Sequence, residues 1–288
     1  MIALKKEADE SYMDWISVTS RTKYINIHHS LVIACHLSDK SVVLIDTGGL
    51  KSSELLSTLR QQDLSVHSVL CTHLHLDHTA NLRQIISLYH PNVFASKYEL
   101  SAWYYPIYYG DCPLDLTPID QARELYINGE RFEIFPTFGH SAGHLAFVTP
   151  DGVCCLGDAL LTKDVLLPAK IPYMADVDQA ILSMEQIRQT TYPYYILSHS
   201  GVVLQNAISD LVDINIEKEL DLYRILRQQI TEPMHIETLI DKFMTAVKVR
   251  DPNIFSDRAY RETVQSRILG LIKVGEATVS SDIVYPVR

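Results

Sequence analysis

The most constraining feature of this chain is His73-x-His75-x-Asp77-His78, which gathers four metal-competent side chains within six residues. In an extended backbone, His73, His75 and Asp77 share one face. A turn into a following helix would swing Asp77 and His78 toward a neighbouring point. Imidazole and carboxylate donors at this density suit Zn²⁺ or another first-row divalent ion. The bland alternative is a polar loop of solvated histidines. Chance yields the pattern roughly once in several hundred such chains.

The surroundings read as alternating strands and helices. Tyr24–Ile27, Leu31–His36 and Ser41–Ile45 are apolar, β-branched runs, the last ending in Asp46-Thr47-Gly48-Gly49. Ser52 or Ser53 can cap a helix through Arg60. Val66–Cys71 is a short strand that delivers the chain into the histidine cluster, and a helix from about Thr79 to Tyr89 follows, stopped by Pro91. Strand signals return at Arg131–Phe138, His144–Thr149 and Val153–Leu156, with Asp151-Gly152 marking a hairpin. Val177–Gln189 reads as a helix and Tyr194–Leu197 as a last strand. Further donors follow these runs: Gly139-His140-Ser141-Ala142-Gly143-His144, then Leu156-Gly157-Asp158, then Leu197-Ser198-His199. Each could project from one rim of a sheet.

After about Ser209 the pattern changes to helices at Leu211–Gln229, Pro233–Val247 and Ser256–Ile272, with an alternating tail Ala277–Val287 that suits a hairpin. The length of 288 residues predicts two domains or one large and one small, placed at 1–208 and 209–288. With 47% apolar and 21% charged residues the chain has ample core material, and no apolar run approaches the ~20 residues of a membrane span.

In their order, the HxHxDH, GHxxGH, Gly-Asp and terminal-His motifs resemble the metallo-β-lactamase fold superfamily over about Trp15 to Gly201. The resemblance implies an α/β fold, a four-layer αββα sandwich, here followed by a small helical, winged-helix-like C-terminal domain. It assigns His73, His75 and His140 to one metal and Asp77, His78 and His199 to a second, with Asp158 bridging. It makes His144 a supporting residue and places Asp46 behind the ligand shell, where the residue could equally cap the next helix. One departure stands out: the last motif is usually Gly-His-Gly, but here it is Ser198-His199-Ser200-Gly201.

Seven ligands exceed what one tetrahedral zinc uses while keeping a position for water, so two zinc ions are expected, with iron or manganese as substitutes. Two ions about 3.5–4 Å apart can share a hydroxide made nucleophilic at neutral pH, and Asp77 could orient it and pass on its proton. The expected function is therefore a dinuclear zinc hydrolase of a small ester, lactone or thioester, as in the glyoxalase-II-like and lactonase-like branches. A nuclease or phosphodiesterase of the same fold and a mononuclear iron persulfide dioxygenase are the alternatives. The 40 residues between Asp158 and His199 leave no room for the inserted domain of RNA-processing members, although some small nuclease-like members end in a similar tail.

The balance of 25 Lys+Arg against 35 Asp+Glu gives −10, which disfavours nucleic acid as a partner, and the tail from Asp210 holds 13 acidic and 11 basic residues. A small molecule is the expected partner, with no membrane. Trp103, Tyr104, Tyr105, Tyr108 and Tyr109 form an aromatic segment that could line a substrate pocket or a homodimer contact, or simply cover its own core. Pro106 and Gly110 are expected to keep it irregular. Five cysteines without a CxxC pair, and an opening MIALKKEADESY without an apolar signal, point to free thiols in the cytoplasm. Cys154-Cys155 is read as buried packing.

Overall fold

The structure, a computed structural model, describes residues 14–38, 40–50, 53–110, 114–249 and 253–287. Ser52, Cys112 and the opening twelve residues lie outside them. One sheet holds, side by side, β1 (Ile16–Ser17), β2 (Thr22–Ile27), β3 (Ser30–Ser38), β4 (Ser41–Ile45), β5 (Ser65–Leu70), β6 (Asn92–Ala95) and β7 (Thr117–Pro118). Its first four strands are antiparallel. From β4 onward the pairing is parallel, because helices α1 (Glu54–Gln61), α2 (Leu76–Thr79), α3 (Leu82–Tyr89) and α4 (Tyr105–Tyr109) carry the chain back between strands.

The second sheet contains β8 (Glu124–Ile127), β9 (Glu130–Pro136), β10 (Leu145–Val148), β11 (Val153–Gly157), β12 (Tyr194–Leu197) and β13 (Gly201–Leu204), ordered β13-β12-β11-β10-β9-β8. Its one parallel pair, β11 with β12, is spanned by α5 (Lys163–Leu166) and α6 (Val177–Arg188). The chain then forms α7 (Gln205–Gln229), β14 (Met234–His235), α8 (Ile236–Ala246), α9 (Ile254–Lys273), β15 (Ala277–Ser280) and β16 (Ile283–Pro286). The last strands form a three-stranded sheet, β14-β16-β15, one strand more than the expected hairpin.

Strand alternation builds the four layers. Ile33, Cys35, Val43 and Ile45 face Phe132, Leu145, Phe147 and Cys155 in a core between the two sheets. Their neighbours Val32, Ala34, Val42 and Leu44 face the other way, against Leu55, Leu59, Leu82 and Ile85 of α1 and α3. Likewise Cys154 and Leu156 pack outward, in one cluster with α6 and the C-terminal helices, including Phe243 and Ile268. The expected αββα sandwich is what forms, and the Cys154-Cys155 pair serves two different cores. Truncating the fully buried Phe147 to alanine would cost about 3–5 kcal/mol.

Several local expectations need correcting. The single helix expected over Thr79–Tyr89 is two helices broken at Ala80–Asn81. Here the backbone turns aside to pair with the loop after β4: Thr47 N–H donates to His78 O at 2.7 Å and Ala80 N–H to Gly48 O at 3.2 Å. Asn81 fixes the break by donating from Nδ2 to Thr47 O at 2.8 Å. Ser53 occupies the N-cap of α1, but its side chain makes no capping bond. The aromatic segment is regular after all, because Pro106 falls in the first turn of α4, where a proline costs nothing. No described helix is long and apolar enough to cross a membrane.

Candidate metal centre

The candidate ligands leave the sandwich at one rim. β5 ends at Leu70, and the chain runs extended to His75, the N-cap of α2 (φ −65°, ψ 146°). Asp77 and His78 then occupy the first helical turn, not the extended face. His140 lies in the turn joining β9 to β10, Asp158 follows β11, and His199 follows β12. The loops bring the seven side chains into two groups, His73, His75 and His140, and Asp77, His78, Asp158 and His199, with the donor atoms of each within 4.8 Å of one another. Asp158 Oδ2 lies 3.4 Å from His140 Nε2 of the first group, and 3.4 Å from His78 Nε2 and 3.1 Å from His199 Nε2 of its own. That is a bridging position. His199 reaches it despite the missing glycine, since Ser198 is held on both sides by Ser198 N–H to Gly157 O at 3.1 Å and Leu31 N–H to Ser198 O at 2.8 Å.

Hydrogen bonds behind the histidines set which nitrogen faces inward. His140 Nδ1–H donates to Tyr173 O at 3.1 Å, His78 Nδ1–H to Asp46 Oδ2 at 2.9 Å, and His199 Nδ1–H to His29 O at 2.7 Å. Thr72 donates its hydroxyl to Asp46 Oδ2 at 2.7 Å, so its oxygen accepts from His73 Nδ1–H at 3.0 Å. In these four residues Nε2 is the nitrogen turned inward, the orientation a metal-bound imidazole needs. His73 Nε2, His78 Nε2 and Asp158 Oδ1 are buried without any hydrogen-bond partner. Orphaned polar atoms of this kind are costly unless something electrophilic meets them. The donor set and its orphans therefore fit a divalent cation.

The two groups differ electrically. Burial, then the crowding of other imidazoles, holds His73 and His75 well below the usual histidine range, and burial also lowers His140. For His78, burial also opposes the charged form, but the Asp158 and Asp77 carboxylates win and raise it well above that range. Asp158 raises His199 to about 9 against the effect of burial. Asp158 itself, though buried, is held well below the carboxylate range by His199 and His78.

Asp46 and His144 both lie beside the candidate ligands. Asp46, in a left-handed turn (φ 59°), also accepts from Thr72 N–H at 2.8 Å, so it braces the histidine loop rather than capping α1. His144 joins neither ligand group: its Nε2 accepts from Asp158 N–H at 3.1 Å and its Nδ1–H donates to Thr137 Oγ1 at 2.7 Å. Gly157 makes this contact possible, since a Cβ there would come within 2.6 Å of His144 Nε2. Two supports had no sequence signal, the backbone carbonyls of His29 and Tyr173. Glu99, also missed, is fully buried between the two ligand-bearing loops.

Above the ligands opens a cavity of about 330 Å³. Trp103, Tyr104 and Tyr108 line it together with Ile171, Pro172 and Tyr173, and no Lys or Arg is among its described lining residues. Tyr105 and Tyr109 do not line it: they pack into the helix-side core, Tyr105 Oη accepting from Leu114 N–H at 3.0 Å. The aromatic segment is thus half pocket wall and half core. Glu262 of α9 joins the walls, one oxygen accepting from Trp103 Nε1–H and Tyr173 Oη–H, each at 2.6 Å. Arg258, one turn earlier, lies 4.5 Å over the Trp103 ring.

A family profile described as the metallo-beta-lactamase superfamily matches residues 25–199, the stretch that carries every candidate ligand. The chain belongs to this superfamily. Among curated members, the hydroxyacylglutathione hydrolase of Chromohalobacter salexigens is 31% identical over 127 residues, covering 43% of this chain and 44% of that one. The lactamase-like protein nscB of Aspergillus fumigatus is 26% identical over 201 residues, covering 68% of this chain and 56% of that one. The chain thus spans about half the length of these relatives. A metallo-beta-lactamase family protein from Thermus thermophilus superimposes with a TM-score of 0.69 at 16% identity, covering 96% of this chain and 98% of that one. That likeness in fold takes in the C-terminal helices as well.

Proposed function

We propose that the chain is a metal-dependent hydrolase of small, largely apolar acyl compounds, namely esters, lactones or thioesters, using two zinc ions. The observation that carries this reading is the seven-donor floor beneath an aromatic cavity whose described lining holds no Lys or Arg. When bound, the ions would supply an acidified water and a Lewis acid at that floor. His73, His75 and His140 would hold one and Asp77, His78 and His199 the other, with Asp158 shared. Asp77, half exposed to the cavity with Oδ2 3.4 Å from His199 Nε2, is placed to accept a proton from the attacking water. Trp103 and Tyr108 flank the space where the acyl group would lie, and the apolar walls exclude competing water.

The hydroxyacylglutathione hydrolases among the relatives favour a thioester. The absence of Lys and Arg from the lining argues against the charged glutathione moiety and against a phosphodiester. A complete second ligand group argues against a single-iron dioxygenase. The C-terminal helices, treated as a domain from about residue 209, would close the cavity through α9. Metal analysis of carefully prepared protein should find two ions per chain, and a panel of lactones, acyl thioesters, aryl esters, phosphodiesters and RNA should show turnover of the apolar acyl compounds. Turnover of RNA or phosphodiesters alone would replace the reading.

A further inference from the structure

We infer that Glu99 is the positioning residue of the three-histidine group, a single carboxylate that sets the spacing of two separate ligand loops. It sits on a short 3₁₀ turn, Lys97–Ser101, capped by Ser96, whose Oγ accepts from Tyr98 N–H at 3.2 Å. Asp120 ties down the start of that turn, accepting from Lys97 N–H at 3.1 Å and from the Ser96 hydroxyl. The Glu99 side chain then points inward and is fully buried.

Both carboxylate oxygens are fully used. Oε2 accepts from Leu74 N–H at 2.9 Å and Tyr104 Oη–H at 2.7 Å. Oε1 accepts from Ser141 Oγ–H at 2.6 Å and Gly143 N–H at 2.8 Å. Leu74 lies between His73 and His75, and Ser141 directly follows His140. One side chain therefore clasps the two loops that supply all three imidazoles of the first group. None of its four donors comes from Asp77, His78, Asp158 or His199. The fit is close: a Cβ on Gly143 would lie 2.4 Å from Ser96 Oγ and 3.0 Å from Glu99 Cγ, so glycine is required for the loop to reach the carboxylate.

Burying a carboxylate is costly, and this one meets four donors in two pairs. An amide in its place would turn an N–H toward donors that need an acceptor. The expected result is displacement of one loop relative to the other, which separates His140 from His73 and His75. Support of this kind typically tunes metal affinity by 10–100-fold.

This inference rests on the metal-centre reading above, and the test separates the two. Cobalt(II) titration of the full-length chain, followed by absorbance and calorimetry, should give two ions in the wild type. In Glu99→Gln one ion should bind about 10–100-fold more weakly and the other unchanged. The site that stays tight should vanish on adding His199→Ala and survive His73→Ala. Ser141→Ala with Tyr104→Phe keeps the carboxylate but removes two donors, and should weaken the same site by a smaller factor. That pair carries the test should Glu99→Gln not fold. Equal affinities in wild type and variants, or equal weakening of both sites, overturns the role of Glu99. A wild type that binds no ion overturns the metal-centre reading along with it.

Discussion

The two candidate ligand groups share one rim, and Asp158 lies within reach of both, yet they are prepared for a cation by opposite means. His73, His75 and His140 are buried among other imidazoles, which favours the neutral form and so presents lone pairs ready to bind. His78 and His199 sit beside Asp158 and are driven toward the imidazolium, so protons hold the place that a metal would take. The supports differ correspondingly. The neutral group is clasped by a buried acceptor, Glu99, whereas the charged group hangs from His144 and the His29 carbonyl, and Asp46 serves both, holding His78 directly and His73 through Thr72. His140 lies as near Asp158 as His78 does, so the difference comes from the further carboxylates, Asp77 and Asp46, that reach His78 and from the shallower burial of His199.

The largest test of this contrast removes what the groups share. Asp158→Ala should lower hydrolysis of an established substrate by roughly 10³-fold, on the scale of several kcal/mol of lost metal-site stabilisation, and metal analysis should show the second group empty. Retained activity would withdraw the bridging role. His144→Ala should act on one side only. By releasing the Asp158 backbone it should weaken the carboxylate-bearing site about 10–100-fold and leave the three-histidine site alone, the mirror image of the Glu99 result. Site-resolved cobalt titration would read both.

Glu262→Ala probes the wall instead of the floor. With Trp103 and Tyr173 released, KM should rise about 10-fold, the scale of one hydrogen bond to a charged group, while kcat and metal content hold steady. A collapse of kcat with loss of metal would mean that α9 acts on the ligands. The smallest expected effect is in the metal-stripped protein, where the groups should pull stability in opposite directions with pH. His199 titrates near 9 when folded, above its ordinary value of 6.5, so its contribution is full below about 6.5 and lost as pH climbs through 9. His73 and His75 are shifted downward, so their contribution is present above 6.5 and lost as pH falls below it. Thermal melts with chelator present should peak near pH 6.5, and Asp158→Asn should flatten only the alkaline side.

The ligands were legible because their chemistry is local: each is a histidine or aspartate at the end of an apolar run, and the sandwich was legible from the alternation within those runs. Residues whose partners are remote in sequence were not. Glu99 meets three of its four donors 25, 42 and 44 residues away, and nothing in Tyr98-Glu99-Leu100 reveals them beyond a lone charge in an aromatic stretch. The backbone carbonyls of His29 and Tyr173 carry no side-chain signature at all. The four-residue strands β6, β8 and β13 escaped because each has an exposed position and no apolar run along its whole length, unlike β10 and β12 of the same length. The break between α2 and α3 escaped because it is imposed by Thr47 and Gly48 of another loop.

Every candidate ligand lies between residues 73 and 199, but Ala259 and Glu262, on a helix far beyond them, help shape the mouth of the cavity. Part of the cavity wall is thereby written in a different stretch of the polypeptide from the candidate ligands. Substitutions along one face of α9 can alter which molecules enter while the groove of histidines below keeps its geometry, so a lineage could diversify its diet without reinventing its chemistry.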